Sequence, residues 1–297
     1  MIRRNKLTTT KKQYVIYWIV VAVMMSYVVT LIYPYVWTLI MAFSDVPYLD
    51  NMGKLLPDIG NFTLDGIKAY FNYKTKVVTP EGTIVAYGLI DLIGNTLFIS
   101  ITRTFLGMIF SIATAYCYTF YKFRGRNFLF FYGVIVQSIP LFGGMGWMYK
   151  ILYQLNLYDT YFSVFFRSIG TFNNFLFYFA FFKGVGWDYA EAAFIDGAGH
   201  FTIFVKIMLP QILPIVVVFI VNGFIGAWND WMTCYLWLPS KPMIAYSVYL
   251  SQEYAKRVGN YQLYYSAIIF SMVVPMCLYG LFSKRILSTV YTGGLKG

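Results

Sequence analysis

Charged side chains inside apolar stretches are the residues of this sequence whose chemistry is easiest to define. Arg103 and Arg167 interrupt two long apolar runs, and Asp230 stands in a third, next to Trp228 and Asn229. A charge inside a bilayer is costly, so such groups usually face a cavity or a partner helix. Either arginine could therefore pair with Asp230 or line a path for a polar solute, and the sequence leaves both alternatives open.

Uncharged amides in the same runs add a second kind of polar group. Asn173 and Asn174 are adjacent in one run, and Asn222 stands in another. Amides can hydrogen-bond to the hydroxyl groups of a polar solute, and an aromatic ring such as Trp228 can pack on the apolar face of a solute ring. With 21% aromatic residues, any one ring can equally serve packing or lipid contact. We predict that any path for a polar solute is built from these charged, amide and aromatic residues: Arg103, Arg167, Asn173, Asn174, Asn222, Trp228, Asn229 and Asp230.

A polar segment broken by glycine lies between two apolar runs and predicts a pair of short helices. Asp188 and Glu191 have the spacing of a capping box, in which each side chain accepts from a backbone amide at the start of a helix. Gly197 should end that helix, because glycine tolerates the left-handed backbone conformation. A second short helix is expected from about His200 to the membrane boundary near Pro210.

The composition indicates a membrane protein. Hydrophobic residues make up 59% of the 297 positions and charged residues only 12%, with a mean hydropathy of +0.60. These values are too apolar for an ordinary soluble domain. The net charge of +11 is accounted for by Lys and Arg on cytoplasmic loops, so no nucleic-acid partner is expected.

We predict an all-α polytopic membrane protein with six transmembrane helices and with both termini in the cytoplasm. Each helix needs about 20 apolar residues. The cytoplasmic segments of this topology hold the larger share of the 23 Lys and Arg residues, as the positive-inside rule requires. The predicted helices are 14–43, about 92–121, 128–149, 161–182, 211–237 and 263–283.

The same pattern predicts the organisation of the whole chain. The loop before the second helix is long and polar and should carry short helices or turns, and a further outer loop is expected from Pro239 to about Tyr261. The predicted parts are a cytoplasmic arm 1–13, the first helix 14–43, an extracytoplasmic loop 44–91, a core 92–283 that holds the other five helices and a cytoplasmic loop 184–210, and a cytoplasmic tail 284–297.

The sequence contains no pattern that indicates catalysis. There is no G-x-x-x-x-G-K-[ST] phosphate-binding motif, no H-E-x-x-H and no G-x-S-x-G. The three cysteines are far apart in apolar runs, and the one histidine, His200, has no second ligand beside it, so neither a disulfide framework nor a metal site is expected. We predict that the chain is not an enzyme and hydrolyses no ATP.

The polar segment resembles the EAA signature of the membrane subunits of ABC importers, E-A-A-x-x-D-G-A followed by I-x-L-P. The matching residues lie between the fourth and fifth predicted helices, where the carbohydrate (MalG-like) branch of that family carries the signature. Asn95-Thr-Leu-Phe98, Phe123-Arg-Gly-Arg126, Leu157-Tyr-Asp-Thr160 and Trp228-Asn-Asp230 are also similar to that branch, as is the shorter tail from Thr292. The residues that match the signature are Glu191, Ala192, Ala193, Asp196, Gly197, Ala198, Leu209 and Pro210.

The resemblance implies a multi-pass subunit in the bacterial cytoplasmic (inner) membrane, whose signature residues dock on an ATPase. It implies four kinds of partner: a second permease subunit forming a heterodimer, two ATP-binding subunits that hold ATP and Mg, an extracytoplasmic solute-binding protein, and a carbohydrate, expected to be an oligosaccharide. No cofactor is expected on this chain itself. The two intramembrane arginines leave room for an acidic sugar. The alternative is an ion-coupled secondary transporter, for which Asp230 is the one acidic candidate well inside a helix.

Overall fold

Long apolar helices dominate the structure, a computed structural model that describes residues 11–51, 53–138, 144–169 and 174–294. Within these residues, four helices are long and apolar enough to cross a membrane: Gln13–Phe43, Leu89–Phe120, His200–Trp228 and Tyr261–Lys284. The chain is therefore a mostly helical protein with several candidate membrane spans. The predicted spans 128–149 and 161–182 each correspond to two shorter helices, and the predicted span 211–237 is also divided, into Leu209–Trp228 and Trp231–Trp237.

The elements follow one another with short connections. They are α1 (Lys11–Phe43), α2 (Tyr48–Asn51), α3 (Asp65–Asn72), β1 (Thr75–Val78), β2 (Ile84–Tyr87), α4 (Leu89–Phe120), α5 (Arg126–Ser138), α6 (Gly144–Gln154), α7 (Tyr161–Ile169), α8 (Phe175–Lys183), α9 (Asp188–Ile195), α10 (His200–Ile203), a π-helical turn (Phe204–Met208), α11 (Leu209–Trp228), α12 (Trp231–Trp237), α13 (Ile244–Val258) and α14 (Tyr261–Gly294). By compactness the chain forms two units, Met1–Tyr70 with Gln252–Ile269 and Phe71–Ser251 with Phe270–Gly297.

In the first unit, polar side chains tie the loop after α1 to the start of α14. The amide of Gln262 donates to the carbonyl of Ser44 at 3.0 Å and to the hydroxyl of Thr63 at 2.9 Å. The carboxylate of Asp45 accepts from the side-chain amide and the backbone N–H of Asn61, at 2.9 and 2.8 Å. These bonds to Asn61, the side-chain bond first, lower the pKa of Asp45. Hydrogen bonds therefore fix this loop, together with the stacking of Phe62 on Phe43 and of Tyr48 on Tyr261.

Two regions predicted as loops contain regular structure. Strands β1 and β2 pair antiparallel, from Thr75 opposite Tyr87 to Val78 opposite Ile84, so the chain is not entirely α-helical. The region predicted as an outer loop after Pro239 contains the 15-residue helix α13. Its inward residues include Ser247, which is fully buried and hydrogen-bonds to the hydroxyl of Thr75 at 2.7 Å. A helix buried through small polar residues lacks the apolar stripe that sequence patterns detect.

The core of the second unit is formed where α4 packs against α7, α8 and α11. Its inner end is mostly aromatic, and the largest fully buried rings there are Phe175, Tyr178 and Phe182 of α8. Ring edges and faces interlock in this cluster, with Tyr116 of α4 against Phe182 at 5.7 Å between centroids. This packing fixes the end of the unit from which α9 projects.

Candidate functional site

The helix α9 begins one residue earlier than a capping box would place it. Asp188 is itself the first helical residue, and Trp187 precedes it without a side-chain capping bond. The amides of Ala190 and Glu191 instead donate to the carbonyl of Trp187 at 2.8 and 3.1 Å. The prediction of an Asp188–Glu191 capping box is therefore wrong. Both carboxylates still lie in the first turn, where negative charge is favourable beside the helix dipole.

The end of α9 is a Schellman turn, and it confirms that Gly197 terminates the helix. Gly197 has φ +80°, and its amide donates to the carbonyl of Phe194 at 3.0 Å. The amide of Ala198 donates to the carbonyl of Ala193 at 2.9 Å. These two bonds satisfy carbonyls that the helix leaves unpaired, and a positive φ at the central position favours glycine. Asp196 is the last residue before this turn and is exposed.

One face of α9 is anchored and the opposite face is exposed. Ala190 and Ala193 are buried against the aromatic cluster of α4 and α8. On the other side Tyr189 and Ile195 are 61% and 86% exposed, beside the exposed residues Glu191 and Ala192. These four residues form the accessible side of the helix. Of the signature residues, Ala193 therefore packs α9 against its own chain, while Glu191 and Ala192 are exposed at the surface.

Aromatic contacts hold the segment around α9 and α10 to the end of α4. Trp187 stacks on Phe120 with ring centroids 4.8 Å apart. The imidazole of His200 hydrogen-bonds to the hydroxyl of Tyr121 at 2.8 Å, and its ring meets the edge of Phe194. His200 therefore helps to hold this segment against Tyr121 at the surface. In the described part of the chain, no group of residues could hold a metal ion.

The segment continues into α11 through a π-helical turn rather than through a loop. The turn covers Phe204–Met208 and is followed at once by Leu209 and Pro210, the predicted junction with the membrane. Pro210 has no amide hydrogen and therefore makes no helical bond back to Lys206. Met208 is buried while Pro210 is exposed. Movement of α10 would therefore pass directly into α11, because no flexible linker separates them.

A cavity of about 640 Å³ lies among α4, α7, α8 and α11, with one residue from α6. This volume is in the range of pockets that enclose a small ligand, roughly 300–1,000 Å³. It brings together four of the predicted substrate-path residues, Arg103, Arg167, Asn174 and Asn222, whereas Asn173 lies outside the described residues. The other lining residues are Thr104, Gly107, Met108, Ser111, Met148, Tyr178, Phe219, Gly223, Gly226 and Ala227.

Polar groups at one end of the cavity form a compact cluster. Arg103 forms an ion pair with Asp230, the carboxylate that caps the start of α12. The hydroxyl of Thr233 donates to that carboxylate at 2.7 Å and lies 3.5 Å from Arg103 and 3.3 Å from Arg167. The guanidinium group of Arg167 also stacks on the ring of Trp237, 3.6 Å from its centroid. Of the two pairings that the sequence left open, Arg103 with Asp230 is the one formed.

Three of the predicted path residues do not line this cavity: Asp230, which pairs with Arg103 between α11 and α12, Trp228 and Asn229. Trp228 is fully buried, and its indole N–H donates to the carbonyl of Ser271 at 2.9 Å. Asn229 is exposed beyond the end of α11, and its amide donates to the carbonyl of Ile225 at 3.0 Å. Trp228 packs instead with Leu92 and Ile244, and Asn229 lies just after the last residue of α11.

Three polar residues of the site were missed from the sequence. The hydroxyl of Thr233 contacts all three charged groups of the cluster. Thr233 follows Asp230 by three residues, which is the spacing of an N-cap bond, and this spacing could have identified Thr233 from the sequence. Thr104 and Tyr178 are among the residues that line the cavity, but their hydroxyls are buried and have no hydrogen-bond partner within the described residues. No sequence signal distinguishes these two from other helical Thr and Tyr residues. Unpaired buried hydroxyls are costly.

A helical membrane chain with a polar cavity and a firmly anchored, exposed short helix has the architecture of a transport permease. Residues 107–289 match the family of the binding-protein-dependent transport system inner membrane component, and the chain belongs to this family. It is accordingly a multi-pass membrane permease rather than an enzyme.

Similar proteins include two curated permeases and one solved structure. The arabinooligosaccharides transport system permease AraQ of Bacillus subtilis is 28% identical over 203 residues, which are 68% of this chain and 72% of AraQ. The diacetylchitobiose uptake system permease NgcG of Streptomyces coelicolor is 25% identical over 282 residues, or 92% and 86% of the two chains. A chain of a bacterial ABC transporter involved in the import of the acidic polysaccharide alginate has the same fold, with a TM-score of 0.74, 18% identity and coverage of 93% and 98%.

Proposed function

We propose that the chain is the membrane-spanning permease subunit of an ATP-driven importer that takes a carbohydrate from a solute-binding protein. The observation that carries this proposal is the cavity, where the amide residues Asn174 and Asn222 stand with Arg103 and Arg167 in one space between helices. Amide and guanidinium groups suit a ligand with many hydroxyls. The similarity to permeases named for arabinooligosaccharide and diacetylchitobiose uptake supports an oligosaccharide.

The proposed topology has six membrane passages with both termini in the cytoplasm. In this arrangement α5 with α6 and α7 with α8 make the two passages that are not continuous helices. The cationic turn Lys122–Arg126 and the segment with α9 then lie on the cytoplasmic side, while the hairpin of β1 and β2 lies outside. Support comes from the enrichment of Lys and Arg in the cytoplasmic segments, which matches the positive-inside rule.

The proposed role of α9 is to dock on the ATPase. Glu191, Ala192 and Ile195 supply the exposed face, while Ala193 and Ala198 fix the helix to its own chain. ATP and Mg bind to two separate ATP-binding subunits, and closure of that dimer moves α9 and, through Pro210, α11. A second, related permease subunit completes the path as a heterodimer. The cavity then faces outward to accept the sugar and inward after hydrolysis.

The ion-coupled alternative is not favoured by the geometry. Its candidate coupling group, Asp230, pairs with Arg103 and accepts from both the backbone N–H and the hydroxyl of Thr233. A carboxylate so satisfied is held in its charged form and is poorly suited to exchange a proton or Na⁺ during each cycle.

Cross-linking from two exposed isoleucines tests the proposed function. Ile195 on α9 and Ile84 on β2 are 86% and 70% exposed and provide a matched pair of positions for single cysteines in a background without the three native ones. Ile195→Cys should cross-link to an ATP-binding subunit, and Ile84→Cys should react with an impermeant thiol reagent added to intact cells. A cross-link from Ile84→Cys to the ATPase, or external labelling of Ile195→Cys, would contradict the topology and the docking role.

The transport claim is tested by uptake. Vesicles that contain the complete complex and the binding protein should accumulate at least one labelled oligosaccharide when ATP is inside. This accumulation should persist after an ionophore collapses the ion gradients. Uptake that stops with the ionophore but continues without ATP would establish the ion-coupled alternative instead.

A further inference from the structure

The cationic turn Lys122–Arg126 lies where the chain leaves a membrane span. The candidate span Leu89–Phe120 ends just before it, and the apolar helix α5 begins at its last residue. The turn carries Lys122, Arg124 and Arg126, and none of the three forms an ion pair within the described residues. Three positive charges therefore stand at a membrane boundary with no acidic partner from the described part of the chain.

An open hollow of about 400 Å³ lies against this turn. Arg126 is half-buried and donates to the carbonyl of Tyr121 at 3.4 Å, whereas Lys122 and Arg124 are exposed. The described residues that line the hollow include no Asp or Glu and are Lys122, Phe123, Gly125, Arg126, Asn127 and Phe128. Because α5 begins here, its first backbone N–H groups have no partner within the helix and add to the positive potential. The hollow therefore suits an anion.

The backbone of the turn fixes the shape of the hollow. Gly125 has φ +88°, a conformation that favours glycine. The amide of Leu129 donates to the carbonyl of Gly125 at 3.0 Å. The ring of Phe123 packs edge-on against Tyr118 of α4, with 5.4 Å between the centroids. The hollow is therefore formed before any ligand binds.

An exposed apolar stripe begins at the hollow and follows α5. Its four residues recur at the spacing of one helix face, and each is 58–72% exposed. On the opposite face Phe130 packs against Phe175 and Phe179 of α8, so the stripe points away from α8. The stripe consists of Phe128, Phe131, Tyr132 and Ile135. Phe128 belongs to the hollow as well, so the cationic and the apolar surfaces are continuous.

This combination matches a molecule in which an anion is joined to apolar chains. From Phe128 to Ile135 the stripe extends about 10 Å, at about 1.5 Å per residue. It therefore covers most of the roughly 15 Å of hydrocarbon in one leaflet of a bilayer. A small free anion would leave the stripe uncovered, and an apolar chain alone would leave the cations uncompensated. A phospholipid with a net negative charge satisfies both surfaces.

We propose that the cationic turn and the stripe on α5 bind an anionic phospholipid, with its phosphate group in the hollow and its acyl chains along the stripe. Basic pockets at the membrane surface recognise anionic headgroups in this way. The site shares no lining residue with the polar cavity. It is therefore a second binding site, and it does not depend on which solute the protein carries.

Photolabelling with two lipids that differ in headgroup charge tests the site. The complete complex is purified through a tag on this chain and placed in phosphatidylcholine nanodiscs. These contain a trace of phosphatidylglycerol or of phosphatidylcholine with a photoreactive diazirine in one acyl chain, and peptides covering residues 126–138 are analysed by mass spectrometry. One basic residue beside the membrane surface contributes a roughly fivefold preference for an anionic lipid. Phosphatidylglycerol should therefore label residues 128–135 at least roughly fivefold more than phosphatidylcholine, and high salt should reduce this preference.

Variants that remove charge assign the preference to the hollow. Lys122→Gln combined with Arg124→Gln leaves Arg126 and its bond to Tyr121 in place and should remove most of the preference. Lys206→Gln combined with Lys284→Gln removes two exposed cations that do not line the hollow and should leave the preference intact. Retention of the ATP-binding subunits during purification shows that each variant assembles. If the first double variant does not assemble, the comparison of the two lipids on wild type at low and high salt decides the matter.

Three results would overturn the proposal. The first is equal labelling by both lipids in wild type, or an unchanged preference in the assembled variant that lacks the charges of Lys122 and Arg124. The second is loss of the phosphatidylglycerol label when inorganic phosphate is added, which identifies a site for a free anion. The third is absence of label from either lipid, which identifies the stripe as a contact with another subunit. None of these results bears on solute uptake, so the proposed transport function is tested separately.

Discussion

Replacement of Gly197 isolates the backbone requirement at the end of α9. Its φ of +80° is disfavoured for residues with a Cβ, and an added Cβ would meet nothing within 4 Å. The cost of Gly197→Ala is therefore conformational and not a steric clash with neighbours. A left-handed conformation costs an ordinary residue roughly 1–2 kcal/mol, which changes a conformational equilibrium by about 5- to 30-fold.

Gly199 provides a matched control two residues further on. Its added Cβ also meets nothing within 4 Å, but its φ is −75°, which any residue adopts. Gly199→Ala should therefore leave the turn at Gly197 unchanged, with only a small local cost at α10, because Gly199 is its N-cap and alanine caps less well than glycine. At Gly197, Asn should be tolerated better than Ala because Asn enters the left-handed region more readily, and Val should be the worst.

The assay is the number of sugar molecules taken up per ATP hydrolysed in vesicles, with hydrogen–deuterium exchange of residues 188–203 as the structural readout. Coupling and protection should fall in the order Gly, Asn, Ala, Val at position 197 and stay at the wild-type level for Gly199→Ala. The reasoning is refuted if Gly199→Ala is as harmful as Gly197→Ala, or if Gly197→Val couples normally.

Three further substitutions test packing and hydrogen bonding. Gly66→Ala should lower the thermal stability of the purified complex, because its Cβ would stand 2.6 Å from a glutamine side chain, whereas Gly94→Ala has open space and should not. Trp228→Phe should cost about 1–3 kcal/mol by leaving a buried carbonyl unpaired, while sugar affinity, measured by titration, stays unchanged. Hydrogen bonds from Asn61 lower the pKa of Asp45 in the folded protein. Their contribution to stability is therefore complete above the pKa of the unfolded chain, about 3.9, and is lost as the pH falls through the lower pKa of the folded state. Acid should accordingly speed hydrogen exchange of residues 44–62 more in wild type than in Asp45→Ala.

The turn at the end of α9 was readable from sequence because its signals are local. A glycine at position 197 specifies a left-handed residue, and the structure places one there. The prediction of a capping box was wrong because Asp188 is the first residue of the helix and not the residue before it. The spacing of Asp188 and Glu191 alone cannot distinguish these two positions. The exact first residue of a helix depends on one or two backbone angles. At the start of α9, the stacking of Trp187 on Phe120 holds the backbone just before Asp188.

The cavity was only partly readable because it depends on contacts between distant residues. Arg103 and Asp230 could be identified as costly intramembrane charges, and their pairing was one of two open alternatives. The direction in which Trp228 points could not be predicted, since its neighbour Ser271 is 43 residues away in sequence. Tyr178 carried no signal at all, because a buried tyrosine and a ligand-binding one look identical in an aromatic run.

The π-helical turn at Phe204–Met208 changes the angular phase of the chain. A π-turn contains one more residue than an α-turn, so the faces of α11 are rotated by about 100° from where a continuous 3.6-residue repeat starting at His200 would place them. A helical wheel drawn through Leu209 would accordingly assign Asn222 and Gly223 to the wrong side. Deletion of a single residue within the turn would restore a continuous 3.6-residue repeat from α10 through α11. Asn222 and Gly223 would then be rotated relative to α10, and the helix would stay unbroken.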